Sequence, residues 1–201
     1  RIAENSREWE YRDSSGYSMP HNPEALEVIY NLRSNNSISS NHLEMYVQDT
    51  WRRETSNSSF SLNYGLRVAH WSWNKEWLFS PRASLTYIPK NHDNMTIRLA
   101  TGLYYQRPFY KELRDTITNG ATTIVQLNKD IQSQRSFQVI AGYEYRFKLG
   151  KRPFLFSTEL YYKAQDRLNP YTIDNTKIVY YGRNCATGNV MGIDLKLYGE
   201  F

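Results

Sequence analysis

Apolar and polar residues alternate with a period of two along most of the chain. The segment 95–106 shows this most clearly, because its odd positions are mostly apolar and its even positions small or polar. Successive side chains of a β-strand point to opposite faces, so the pattern predicts a strand with one apolar and one polar face. Comparable runs lie at 43–51, 60–68, 79–87, 137–147, 154–163 and 191–201, and further strands are predicted at 7–12 and 26–32.

The length of these runs distinguishes between two kinds of β-protein. The clear runs extend over about 9–12 residues, whereas a strand of a soluble protein averages about 5–6 residues. A tilted strand that crosses a membrane needs about 9–11 residues. The length therefore favours an all-β, antiparallel up-and-down meander of membrane-spanning strands.

The connections between the runs are sorted by length. Short connections alternate with long ones, as in outer-membrane barrels, which have short periplasmic turns and long extracellular loops. One connection, 73–77, is short where the pattern calls for a long one. The short connections are 53–58, 89–94 and 148–153, and the long ones are 13–40, 107–134 and 167–187.

The two faces predicted by the alternation differ in chemistry. The apolar faces carry almost no charge except Asp49, which we place beside a short turn, near the membrane interface. We expect aromatic residues beside the short turns to form an interfacial girdle, although aromatics also favour strands in general. The girdle candidates are Trp51, Phe60, Tyr87, Tyr145, Phe147 and Phe154, and those facing an aqueous lumen include Arg82, Glu144, Arg146 and Glu159.

Composition and charge argue against several classes of function. The net charge of +5 is spread along the chain without a basic run, so we expect no nucleic-acid partner. Cys185 is the single cysteine, and the four histidines lie far apart. We therefore predict neither a metal site nor a cofactor. Glu144 and Glu159 could be imagined as a catalytic pair, but cross-strand pairing or solvation explains them better, and no catalytic residue is predicted.

Several motifs, in this order, resemble the barrel of TonB-dependent outer-membrane receptors. They cover most of the chain from about residue 40 onward, and their order and spacing are more specific than any one of them. They are Tyr46-Val-Gln-Asp-Thr-Trp51, Asn63-Tyr-Gly-Leu-Arg67, Ser80-Pro-Arg-Ala-Ser-Leu-Thr-Tyr87, Tyr104-Tyr-Gln-Arg-Pro108 with Glu112-Leu113, Gln134-Arg-Ser136, Ala141-Gly-Tyr-Glu-Tyr145 and Glu159-Leu-Tyr-Tyr162.

The resemblance implies a 22-stranded transmembrane β-barrel with a globular plug, located in the outer membrane of a Gram-negative bacterium. Residues 1–201 would then be one partial barrel domain of roughly eight strands, without the plug and the remaining strands. The family imports scarce, bulky solutes such as iron chelates, vitamins or oligosaccharides, with energy from TonB. The expected partners are the bilayer and lipopolysaccharide, the plug, TonB through an N-terminal part, and a surface lipoprotein.

Two groups of side chains are candidates for solute binding, and each has a structural alternative. Trp71 and Trp73 could stack on a solute ring or anchor the chain at the interface. Arg67, Arg98 and Arg107 could meet an anionic solute, but we favour pairing with plug carboxylates or neighbouring strands, because a buried arginine needs a partner. Gln106, beside Arg107, completes the set.

Two other architectures remain open from the sequence. One is a complete eight-stranded outer-membrane barrel, which the terminal Phe201 would suit. The other is a soluble β-sandwich that acts as a sugar-binding or adhesion module, with the apolar faces as its core. The sandwich leaves the long strands and the sorted connections unexplained.

Overall fold

Thirteen β-strands make up most of the chain in the computed structural model, which describes residues 2–12, 27–120, 122–174 and 177–199. In chain order they are β1 (Ile2–Arg12), β2 (Glu27–Ile38), β3 (His42–Glu54), β4 (Ser58–Trp71), β5 (Glu76–Pro89), β6 (Met95–Gln106), β7 (Arg114–Asn119), β8 (Thr122–Leu127), β9 (Gln134–Leu149), β10 (Arg152–Leu168), β11 (Tyr171–Asp174), β12 (Lys177–Tyr180) and β13 (Ala186–Gly199).

Seven long strands form the main sheet, in the order β13-β10-β9-β6-β5-β4-β3. Each of them pairs antiparallel with its neighbour, which confirms the all-β, antiparallel meander expected from the alternation. These strands have 12 to 17 residues. Within the described residues, β3 and β13 lie at open edges of this sheet. The same residues contain no helix with the length and hydropathy of a membrane span.

The register of the main sheet carries the alternation from strand to strand. Leu99 of β6 lies opposite Leu85 on one side and Ala141 on the other, whereas its neighbour Arg98 lies opposite Thr86 and Gly142. A slip of one residue would exchange the faces, and the pairing keeps them separate. The sheet therefore has a continuous apolar face and a continuous polar face.

Asp49 does not lie beside the turn that follows β3. It lies five residues before the strand ends at Glu54, on the apolar face, opposite Tyr64. The Tyr64 hydroxyl donates a hydrogen bond to Asp49 Oδ2 at 3.1 Å. A local donor thus satisfies this carboxylate, where the sequence suggested only proximity to an interface.

The two ends of the main sheet carry different connections. At the short-turn end, residues 55–57, 90–94 and 150–151 connect successive strands. The β9–β10 turn has Gly150 at φ +66°, a conformation that glycine adopts without strain. At the long-loop end, residues 107–133 and 169–185 connect strands, together with the tight connection 72–75. The sorting predicted for these connections, with its one short exception, is confirmed. The predicted long connection 13–40 is not, because 13–26 lie outside the described residues, 27–38 form β2, and only 39–41 connect β2 to β3.

The long connections contain strands that the alternation did not predict. β7 and β8 form a hairpin inside 107–133, and β11 and β12 form another inside 169–185. These segments have only four to six residues each, too few for a distinct period-two signal. We call these connections, together with the β1–β2 hairpin, the head.

One pairing in the head departs from an up-and-down meander. β2 pairs with β8 in parallel, and residues 31–34 lie opposite residues 122–125. The Asn36 side chain donates to the Val125 carbonyl at 2.8 Å and strengthens this junction. The resulting four-stranded sheet has the order β1-β2-β8-β7.

The most deeply buried apolar cluster lies between the head and the end of the main sheet. Ile38, Trp71, Leu113 and Ile131 form this cluster, with Trp73, Tyr110 and Leu127 packed against it. By contrast, large apolar residues on the apolar face of the main sheet are exposed, as Leu99 (48%) and Met191 (72%) show. The sheet itself therefore has no core on that side, which a soluble protein would need.

Candidate solute-binding mouth

A cavity of about 510 Å³ lies at the long-loop end of the polar face, and we call it the mouth cavity. β3, β4 and β5 form one side of it, and the end of β6 with residues 107–110 of the first long connection forms the other. Such a volume lies within the usual range of small-molecule sites. It lies among four of the six residues predicted to bind solute: Arg67, Trp71, Gln106 and Arg107.

Trp71 forms the base of the mouth cavity. Its side chain is only 5% exposed, within the cluster of Ile38, Leu113 and Ile131. The indole nitrogen donates a hydrogen bond to Ser40 Oγ at 3.2 Å. Trp73 packs against the same cluster but does not line the cavity. Neither tryptophan lies on the apolar face, where Trp77 is the exposed one, with its ring 4.6 Å from that of His70.

The arginines predicted to bind solute divide into paired and unpaired groups. Arg67 forms an ion pair with Glu44 of the neighbouring strand, and Glu44 also contacts His42. Arg98 lies outside the mouth cavity. Its guanidinium donates two hydrogen bonds to Glu144 of β9, at 2.6 and 3.3 Å. Both therefore have the cross-strand partner that the sequence argument favoured.

Arg82 and Arg107 differ from these two. The Arg82 guanidinium lies over the Tyr104 ring, with its central carbon 4.3 Å from the ring centroid. Gly102 makes room for this stack, because a Cβ there would lie 3.0 Å from the ring and 3.1 Å from Arg82. Arg107 is exposed beside Gln106 at the cavity rim. Among the described residues, neither arginine forms an ion pair.

The remaining residues predicted to face the lumen lie farther from the mouth. Glu159 lies opposite Gly142 and Asp194, near the middle of β10. Arg146 lies towards the short-turn end, where its carbonyl accepts a hydrogen bond from Asn94. Both belong to the polar face by register, and neither lines the mouth cavity.

The predicted girdle residues lie on the apolar face at the short-turn end. The rings of Phe60 and Tyr87 are 4.9 Å apart, those of Tyr145 and Phe147 are 6.0 Å apart, and Phe147 lies 5.6 Å from Phe154. Trp51, opposite Leu62, is 47% exposed on the same face. The six side chains are therefore close to the turns they were predicted to flank.

Glu76, at the start of β5, links the first long connection to the β4–β5 hairpin and to the end of β10, and no sequence pattern indicated this role. Its Oε2 accepts hydrogen bonds from the backbone nitrogen and hydroxyl of Ser133 at 3.0 and 2.7 Å. Arg167 at the end of β10 lies 3.7 Å from Oε1, and Asn74 binds the Ile131 carbonyl at 3.0 Å. These contacts hold the last residues of the first long connection against the β4–β5 hairpin.

Asn184 provides a second tie on the same segment. It accepts a hydrogen bond from the backbone nitrogen of Gln132 at 2.7 Å and donates to the carbonyls of Gln132 and Arg167 at 3.0 and 2.6 Å. The two long connections and the tight hairpin are thus linked by side-chain hydrogen bonds. No local pattern could have revealed them, because each joins residues 17 to 57 positions apart.

Glu112 is a buried carboxyl in the short 3-10 segment Tyr110–Leu113. Gln134 donates to its Oε2 at 3.3 Å, and Asn169 donates to its carbonyl at 3.1 Å. Burial raises the pKa of Glu112 above 4.5, and the hydrogen bond from Gln134 opposes only part of this effect. Folding of the head therefore shifts the protonation equilibrium of this side chain towards the neutral form.

We expect the head to become less stable as the pH rises through the pKa of folded Glu112. Because folding raises this pKa above its usual 4.5, the stabilisation is complete below pH 4.5 and is lost as the pH increases. Glu112→Gln should remove this pH dependence and increase protection at neutral pH. Hydrogen-exchange protection of residues 109–113 between pH 4 and 8 measures the effect, and an unchanged pH profile in the variant would contradict the assignment.

The described residues contain no group of three or more His, Cys, Asp or Glu side chains that could hold a metal ion. The mouth cavity instead combines guanidinium groups, one carboxylate and aromatic rings. Such groups can bind a solute through charge, hydrogen bonds and ring stacking.

Comparison with known proteins adds the family to this geometry. The family model described as TonB dependent receptor-like, beta-barrel matches residues 3–201. No curated protein and no solved structure matches the chain significantly. The match extends over nearly all of the chain and includes the seven strands of the main sheet. The chain therefore belongs to the TonB-dependent receptor β-barrel family, whose members are outer-membrane transporters of Gram-negative bacteria.

Proposed function

We propose that this chain forms part of the barrel and the extracellular mouth of a transporter for a scarce, bulky solute. The mouth cavity is the observation that carries the proposal, because Arg67, Trp71, Gln106 and Arg107 converge there from two separate stretches of sequence. The solute is an iron chelate, a vitamin or an oligosaccharide. The protein is located in the outer membrane, with the short-turn end in the periplasm and the head outside the cell.

The open edges of the main sheet support a place in a larger barrel. Unpaired backbone groups cannot face hydrocarbon, so further strands must pair with β3 and β13. In this arrangement the apolar face contacts lipid and the polar face contacts a plug. TonB acts through that plug, lipopolysaccharide surrounds the long-loop end, and a surface lipoprotein covers the head. We assign no catalytic activity to this chain.

The two other architectures have less support. A complete eight-stranded barrel would need β3 and β13 to join through one further strand, whereas the main sheet has seven strands and open edges. A soluble β-sandwich would cover the apolar face with a second sheet. That face is exposed over its whole width, and the family match argues for a membrane barrel.

Depletion of solutes from the growth medium tests the proposed transport. A strain without the gene, the same strain with the full-length receptor restored, and a strain without TonB are compared for uptake of iron chelates, cobalamin and oligosaccharides. We expect one solute class to be depleted only when both receptor and TonB are present. Equal depletion of every class in all three strains would contradict the proposal.

A further inference from the structure

We propose that the mouth cavity selects a solute with two anionic groups, of the size and kind of an acidic disaccharide. This inference rests on the proposed function, since it names the chemistry of the solute that the same cavity takes up. Its basis is the charge, the pairing and the shape of the cavity lining.

The first step concerns the charge of the lining. Three arginines, Arg67, Arg82 and Arg107, and one carboxylate, Glu44, line the cavity. Glu44 is already paired with Arg67, so the remaining positive charge belongs to Arg82 and Arg107. A cavity with two uncompensated guanidinium groups attracts a ligand that carries two negative charges.

The second step concerns how Arg82 is presented. Its guanidinium is stacked on the Tyr104 ring at 4.3 Å, and Gly102 leaves the space that this stack needs. Stacking uses the face of the guanidinium plane and leaves its N–H groups at the edge for hydrogen bonds. A planar carboxylate is therefore a suitable partner, since it can accept two parallel hydrogen bonds from one arginine.

The third step concerns size and apolar contact. The cavity volume of about 510 Å³ suits a small solute rather than a protein segment. Phe109 lines the cavity with a side chain that is 63% exposed, beside Tyr105 and Tyr110. Exposed aromatic faces stack on sugar rings and other rings. Two carboxylates on a body of two rings would use both the arginines and these aromatic side chains.

Calorimetry with the full-length receptor in a non-ionic detergent tests the inference. The probes are digalacturonate, with two carboxylates, and digalactose, its neutral counterpart. We expect digalacturonate to bind at least about tenfold more tightly, because each charged hydrogen bond contributes a factor of about ten or more. Arg82→Gln and Arg107→Gln should each weaken digalacturonate about tenfold and leave digalactose within about twofold.

Arg146→Gln is the matched control, since Arg146 lies on the same face but outside the cavity. It should leave both affinities unchanged.

Equal affinity for the two probes, binding of neither, or unchanged affinity in both cavity variants would overturn the inference. If both probes bound equally and Phe109→Ala weakened both, the mouth would remain a solute site and only the anion preference would fail. If neither probe bound and medium depletion also failed, the proposed transport would fail as well.

Discussion

Replacement of Trp71 by alanine is expected to detach the head from the end of the barrel and to destabilise it by about 3–5 kcal/mol. Trp71 is nearly fully buried among Ile38, Leu113 and Ile131, so the substitution removes a large apolar side chain and leaves a cavity. It also breaks the hydrogen bond to Ser40. Hydrogen-exchange protection of residues 107–133 should fall sharply, while protection of β9 and β10 remains.

Trp71→Phe serves as the control, because it retains most of the apolar volume and removes the indole donor. We expect it to cost about 1–2 kcal/mol, close to the value of one buried hydrogen bond and a smaller void. If Trp71→Ala left the protection of residues 107–133 unchanged, the cluster would not hold the head. The assignment of Trp71 as the packed base of the mouth cavity would then be wrong.

Replacement of Leu99 by arginine is expected to destabilise the barrel by about 2–4 kcal/mol. Leu99 lies near the middle of β6, is 48% exposed and has Leu85 and Ala141 as cross-strand neighbours on the apolar face. A guanidinium at this depth must be buried in hydrocarbon or bend towards the interface. Equilibrium unfolding of the full-length receptor from phosphocholine vesicles measures the difference.

Ala100→Arg is the matched control, one residue along β6 and on the polar face. Ala100 lies opposite Ser84 and Ile140 and faces the aqueous side in our assignment. We expect this variant to insert normally and to lose less than about 1 kcal/mol, as surface substitutions usually do. Equal losses for Leu99→Arg and Ala100→Arg would contradict the assignment of the two faces.

The main sheet could be predicted from the sequence because its physics is local. A long strand with a lipid face and an aqueous face must alternate, so the facing of Leu99 and Arg98 can be read from their positions alone. The lengths of the connections, which can also be read along the chain, distinguish the short-turn end of the sheet from the long-loop end. The exact register across strands could not be predicted, because a slip of two residues also keeps the apolar positions on one face.

The head could not be predicted in the same way. β7 and β8 are short and rich in threonine, and their stability depends on β2, far away in sequence. Glu76 and Asn184 act through partners in distant connections. Such contacts depend on how the long loops fold back, which no local periodicity encodes.

The candidate site was predicted in part. Arg67, Trp71, Gln106 and Arg107 do lie around one cavity, but Arg98 and Trp73 do not line it. The sequence could not show which arginines would have partners, because the pairing of Arg98 with Glu144 depends on the register of β6 and β9. Arg82 was predicted only as a lumen residue, but it also lines the mouth cavity.

Side chains along β6 are expected to face lipid and water alternately, and a spin-label scan measures this directly. Single cysteines are introduced at residues 96–104 of the full-length receptor, with Cys185→Ser to remove the native thiol, and collision rates with oxygen and with a water-soluble nickel chelate are compared. We predict high oxygen accessibility at Ile97, Leu99 and Leu103 and high nickel accessibility at Arg98, Ala100 and Gly102. Accessibility without a period of two, or with the two faces exchanged, would contradict the claim.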